Sequence, residues 1–193
     1  MMSSDESLPN ESLTESRSGL IGAVSDIAIR RWRQTDFQSI RDIAWTTWLA
    51  SYSSFIPESD LRWFLDEFYS DEMLMRFFNT ANAVTFIAAR GAASVGYAKA
   101  FLNENDDKFY IASLYVIPQY QGKGIGGRLM EASEEYARSL GKDEVWLGVM
   151  EQNVSALAWY KKLGFQFVHE APFAMGTTMV NHLIGFRKLS PRA

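Results

Sequence analysis

Hydrophobic positions recur along this chain in two rhythms, every second residue in some stretches and every third or fourth in others, and the changes of rhythm divide it into elements. Residues 27–32, Ile-Ala-Ile-Arg-Arg-Trp, read as a first strand. Thr35 and Gln38 stand three apart and read as a capping box, each able to satisfy the other's free backbone amide. The helix they announce carries Phe37, Ile40, Ala44 and Trp48 at helical spacing until Ser53, Ser54 and Pro57 break it. Ser59 and Ser70 read as caps of two more short helices, whose apolar residues are Leu61, Phe64, Leu65 and Phe68, then Leu74 and Phe77. Residues 83–90 and 95–102 read as a hairpin joined through 91–94, and a second turn at 103–107 leads into a strand over 108–116. The grammar then changes to helix over 125–140 closed by Gly141, strand over 144–150, helix over 154–163 closed by Gly164, strand over 165–169, and a last strand over 180–189. Antiparallel strands first and strand–helix alternation afterwards predict a mixed α/β sheet, antiparallel in its N-terminal half, parallel at its centre and flanked by helices. There is no internal repeat.

Charge adds a boundary. Residues 1–26 hold one base, Arg17, against five acids, and are rich in Ser and Glu, which predicts a flexible acidic tail with Leu20, Ile21 and Val24 as its only anchors; residues 27–193 form a single domain. Of 19 Lys and Arg and 23 Asp and Glu in the chain, 18 of each remain for the domain, which is therefore neutral. A neutral body without basic runs argues against nucleic acid as a partner. No segment has the roughly 20 apolar residues of a membrane helix and no signal peptide opens the chain, so a cytoplasmic protein is expected. With no cysteine and only His169 and His182, thiolate chemistry is excluded and no metal site is expected.

The chemistry concentrates where strand 108–116 runs into Gln121-Gly-Lys-Gly-Ile-Gly126 and a helix. Such a turn presents successive backbone N–H groups at the positive end of a helix dipole, and Gly122, Gly124 and Gly126 leave room for an anion to approach. A P-loop would need Ser or Thr after Gly122-Lys123, where Gly124 stands. A dinucleotide fingerprint fits Gly122, Gly124 and Gly127, yet the acid it requires, Asp143 or Glu144, precedes a strand where it should end one.

Gln121 to Gly126 instead resembles the Q/R-x-x-G-x-G/A signature of the GCN5-related N-acetyltransferases (GNAT family). Asn153, Tyr160 seven residues on, and the closing Gly164-Phe165 resemble that family's second motif, so the likeness extends over residues 27–189. The resemblance implies a GNAT-like fold and acetyl-CoA as cosubstrate without a metal. It implies that Leu114 and Val116 contact the pantetheine arm and thioester through their backbones, the Leu114 N–H also facing the oxyanion. Gln121, Gly122, Lys123, Gly124, Ile125 and Gly126 would cradle the pyrophosphate, and Asn153 would contact the arm or cap its helix. Tyr160 matches the family tyrosine that protonates the leaving thiolate, and Lys123 is equally suited to a solvated surface position. Dimers are common in that family, though nothing in this sequence marks one.

The acceptor is implied to be a primary amine of a small molecule or peptide. The run 146–189, with Phe173 to Gly176 before its last strand, resembles the polyamine-acetylating bacterial branch, although His182 stands where an acid would be expected. Many family members place a glutamate on the strand before the glycine turn; this chain has Phe109-Tyr-Ile-Ala-Ser-Leu-Tyr-Val116 there. Glu104, Asp106, Asp107, Glu151 and a water relayed by Ser113 and Tyr110 are the remaining candidates for the base, and the missing acid keeps a non-catalytic acyl-CoA-binding module open as an alternative. Trp48 and Tyr52 read as core residues, although the resemblance implies that the loop after the first helix borders the acceptor site and that one of them lines it; His182 reads as a satisfied strand residue.

Overall fold

A computed structural model describes residues 26–190; the expected tail, with Leu20, Ile21 and Val24, lies outside the described residues apart from Asp26. Strands β1 (Ile27–Arg31), β2 (Ala83–Arg90), β3 (Ala93–Asn103) and β4 (Lys108–Val116) pair in succession as antiparallel neighbours. Helices α1 (Phe37–Tyr52), α2 (Glu58–Phe68) and α3 (Asp71–Phe78) lie between β1 and β2 in the chain, and α4 (Ile125–Ser139) follows β4. The remainder is β5 (Glu144–Met150), α5 (Val154–Lys162), β6 (Gln166–Met175) and β7 (Thr178–Lys188). All seven strands form one sheet in the order β1-β2-β3-β4-β5-β7-β6. Alternate residues of each strand serve two cores. Ile87, Ala89 and Tyr97 pack with α1–α3, whereas Val84, Ala100 and Phe109 pack with α4 and α5 on the other face.

The mixed sheet is as expected, but its parallel part is narrow. Only β4 and β5 run parallel, and their register contact is confined to Tyr110 opposite Trp146. The last two strands form a longer hairpin than the local pattern predicts, 166–175 and 178–188 in place of 165–169 and 180–189, turning through Gly176 and Thr177. Pro172 interrupts the apparent strand, yet β6 is at the sheet edge, where a missing N–H leaves no ladder bond unmade.

Two caps differ from expectation. Pro57, extended at ψ 143°, is the N-cap of α2 in place of Ser59, because proline suits a helix start, where its missing N–H is not needed. The Thr35–Gln38 capping box does not form. Asp36 ends a short 3-10 turn, Gln34–Asp36, and accepts Arg33 N–H at 2.7 Å and both guanidinium nitrogens of Arg30 at 2.7 Å. A charged fork from β1 outcompetes a neutral amide box. Asp36→Ala is expected to cost about 2–3 kcal/mol, as for loss of one partner of a part-buried pair, measurable by urea denaturation. The hydrogen bonds from Arg30 hold the Asp36 carboxyl below its ordinary value. This stabilisation is therefore present above pH ~4 and is lost as pH falls through the lowered value; the mutant's acid limb should be correspondingly shallower.

Candidate active site

A cleft of about 850 Å³ passes through the sheet where β4 and β5 part. Backbone direction explains what opens into it. Ile117 N–H donates to Val95 O at 3.0 Å, toward β3. By the two-residue period of a strand, Tyr115 also turns its backbone to β3, and Leu114 and Val116 turn theirs toward the gap. Past Tyr110 they meet no strand partner on that side. Further back, the β3–β4 register passes over Ala112, a bulge that leaves this residue exposed on the cleft wall.

The glycine turn enters the same cleft. Gly122 and Gly124 have φ of 71° and 76°, and a Cβ at either would point into open space. Gly124 is the N-cap of α4, so the first free amides of this helix face the same opening. Gly126 has a different reason for being small, since a Cβ there would stand 3.2 Å from the Trp159 ring. Gln121 Nε2 donates to Val116 O at 2.8 Å and ties the turn to the strand end. Ile125 buries its side chain in the core and presents only backbone. Lys123 alone of residues 121–126 does not line the cleft; its ammonium donates to Gln119 O at 2.9 Å and lies 5.1 Å from the Tyr120 ring centre.

Asn153 caps α5, its Oδ1 accepting Ala156 N–H at 3.2 Å, and also lines the cleft. Tyr160, two turns along α5, is buried against Trp159 and Phe165 with its ring on the cleft wall. Burial pushes its hydroxyl well above the usual phenol range, and nearby Tyr52 adds to the effect.

Beyond the sheet, α1–α3 and the β6–β7 hairpin make the opposite half of the cleft. Trp48, Tyr52, Phe64, Tyr69 and Phe173 supply aromatic walls. Tyr69 and Ser113 hydroxyls share a 2.9 Å hydrogen bond. His182 stacks on Phe173 with ring centres 4.2 Å apart, and burial lowers its pKa to about 4, so it is a neutral imidazole at pH 7. Its place on the cleft wall distinguishes it from the plain strand residue expected above.

Among the described residues no carboxylate lines the cleft. Glu104 and Glu151 lie off it, Asp106 accepts the Tyr110 hydroxyl at 2.7 Å, and Asp107 pairs with Lys142. Ser113 is the only member of the expected base set that reaches the cleft, and Tyr69 rather than Tyr110 is its partner. Sequence reading passed over Tyr69, Arg76, Lys99 and Tyr115, because strand and helix periodicity marks a residue as core-facing or solvent-facing without showing which core contains a cleft.

The hairpin is pinned from α2. Asp60 accepts the Thr178 hydroxyl at 2.6 Å and the Thr177 hydroxyl at 3.1 Å, and Gly176, at φ 65°, lies so close that a Cβ would stand 2.6 Å from the carboxylate. Since this pinning places Phe173 and His182, Asp60→Ala is expected to raise the KM of the second substrate about three- to tenfold through misplacement. The KM of the ligand at the glycine turn should stay unchanged, as two-substrate kinetics would read.

No group of three or more His, Asp or Glu side chains among the described residues is arranged to hold a metal, and no described helix is long and apolar enough to cross a membrane. A family model described as the acetyltransferase (GNAT) family matches residues 37–165. An uncharacterized N-acetyltransferase of Mycobacterium tuberculosis is 25% identical over 155 residues, 80% of this chain and 99% of the relative. A spermine/spermidine N(1)-acetyltransferase of Bacillus subtilis is 28% identical over 95 residues, covering 48% of this chain and 62% of its own length. The crystal structure of a PaiA N-acetyltransferase from Thermoplasma acidophilum in complex with coenzyme A superposes with a TM-score of 0.73 at 23% identity, covering 84% of this chain and 98% of that one.

Proposed function

This chain belongs to the GNAT acetyltransferase family, and we propose that it moves the acetyl group of acetyl-CoA to a primary amine of a small molecule or peptide by direct attack in a ternary complex. The observation that carries this reading is one cleft in which a glycine turn opening α4 meets the unpaired backbone edge of Leu114 and Val116. The residues fit the cosubstrate: backbone amides of residues 122–126 would hold the pyrophosphate, the β4 edge and Asn153 the amide-bearing arm. Acetyl-CoA supplies an activated thioester. The Leu114 N–H is aimed to take the negative charge that develops on the acyl oxygen.

Tyr160 has the role of hydrogen-bond donor to the leaving sulfur. A phenol near pKa 10 already gives its proton to a thiolate near 8.5 at a cost of about 2 kcal/mol, and burial raises the Tyr160 hydroxyl further. It therefore keeps its proton and stabilises the developing charge. On the acceptor, an ammonium of pKa near 10.4 is neutral about once in 2,500 molecules at pH 7, roughly 4.6 kcal/mol uphill. The aromatic lining lowers that barrier, because desolvation favours the neutral amine. The hydrogen-bonded hydroxyls of Ser113 and Tyr69 on the cleft wall would pass the proton on to solvent.

The absence of a carboxylate from the described cleft lining favours one second reading, a module that binds acyl-CoA without turning it over. Incubation with acetyl-CoA and a panel of amines, amino acids, peptides and polyamines, followed by thiol release, separates the two. The chain contributes no thiol background because it has no cysteine. Acceptor-dependent release supports the transferase; a thermal shift with acetyl-CoA but no release across the panel supports the binding module.

A further inference from the structure

The acceptor half of the cleft has a charge pattern that selects among amines. Among the described residues its only charged side chains are Lys99 on β3 and the exposed Arg76 on α3, with His182 neutral, and neither cation has an ion pair or a side-chain hydrogen bond there. Arg30, Arg41, Arg187 and Lys142 are paired with Asp36, Asp66, Glu134 and Asp107, whereas Arg33, Lys161, Lys162 and Lys188 lie exposed to solvent without an ion pair among the described residues, so a missing partner counts only where the cation faces the cleft. Lys99 is also half-buried, where an unpaired ammonium is costly.

Its position is fixed and close to the reacting end. Lys99 pairs with Ser113 across β3–β4, one residue before Leu114. Its ammonium lies 4.5 Å from the Tyr69 ring centre and 5.0 Å from that of Phe77, contacts that hold a cation in place without neutralising it. Trp48 lines the same half only as an aromatic wall, its indole N–H enclosed on the side of Tyr115, whose ring centre lies 6.2 Å away. Half-buried Lys99 on the cleft wall is left without an anion among the described residues, and exposed Arg76 at the rim of the same half adds a second positive charge.

We propose that the acetyl acceptor is a small amine that carries its own anionic group, bound by Lys99 with Arg76 beside it, while the aromatic walls enclose its apolar part. The inference rests on the acetyl-transfer reading of this cleft. It also separates this chain from polyamine acetylation, since a polyamine would bring several positive charges against two unpaired cations with no carboxylate on the described lining to receive them.

The test compares acceptors of one shape: L-phenylalanine, its amide, phenethylamine and the corresponding α-aminophosphonate, with spermidine as the polycation. The expected result is that the carboxylate or the phosphonate turns over with kcat/KM at least about tenfold above the amide and spermidine, in the range of a lost charge-assisted hydrogen bond; which of the two leads identifies the anion. Lys99→Met keeps the apolar stem on its rings and should raise the KM of the anionic acceptor about tenfold with kcat and the acetyl-CoA KM little changed, while the amide's KM stays put. Arg76→Met should act in the same direction. Spermidine as the best acceptor, or an acid-to-amide ratio that Lys99→Met leaves unchanged, overturns the inference while leaving the transferase intact. The same ligands titrated in the presence of CoA read the preference without turnover. Tighter binding of the acid that depends on Lys99, with no thiol release from any acceptor, would uphold the anion site and remove the transferase reading.

Discussion

Gly124→Glu abolishes acetyl-CoA binding at concentrations that saturate the unmodified protein, with affinity reduced on the order of a thousandfold. Two effects combine. Gly124 sits at φ 76° as the N-cap of α4, a left-handed conformation that costs an L-residue about 1–2 kcal/mol. The larger effect is electrostatic. A Cβ there meets nothing within 4 Å, so the new carboxylate enters the space assigned to the pyrophosphate, where one pair of like charges at 4 Å is worth roughly 4 kcal/mol at an effective dielectric near 20. Gly124→Ala carries the strain without the charge and is expected to weaken binding by less than about tenfold. Calorimetric titration with acetyl-CoA checks both, and an affinity for Gly124→Glu within tenfold of the unmodified protein would remove the glycine turn from the site.

Tyr160→Phe lowers kcat on the order of tenfold to a hundredfold and leaves both KM values nearly unchanged. The effect is at or below the lower end for general acid help because a thiolate is a fairly good leaving group unaided. The ring remains packed on Phe165 and Trp159 in the mutant, so stability should move little. The raised pKa of the hydroxyl gives a pH signature as well. Tyr160 stays protonated through pH 10, so kcat should show no alkaline fall assignable to it, and the mutant-to-native ratio should be constant across the assay range. A full-rate mutant, or a ratio that converges at high pH, would deny the hydroxyl its role.

Much of this site is legible along the chain because its parts are local. The glycine turn, Asn153 and Tyr160 each sit in a short motif whose spacing has a direct backbone meaning: a positive φ at Gly122 and Gly124, a cap that accepts Ala156 N–H, and a tyrosine two turns along the same helix. The acceptor half is not legible in the same way. Lys99, Arg76, Tyr69, Trp48 and His182 come from β3, α3, the end of α2, α1 and β7 and converge only when α1–α3 fold over the sheet. Lys99 in an alternating strand looks like any solvent-facing lysine, and nothing near it in sequence announces that its charge is left without a partner.

Helices, strands and the glycine turn were determined by the sequence itself, because hydrophobic period, caps and glycine conformations are settled by neighbours a few residues apart. Tertiary structure decided what long-range pairing controls. It placed β7 between β5 and β6, extended the final hairpin to an Asp60 anchor, and gave Asp36 to Arg30 in place of the capping box. It also parted β4 from β5 beyond Tyr110. Period two assigns a strand's faces but not its partner, and a cleft exists only where two particular strands, otherwise fit to pair, are held apart by what packs on either side.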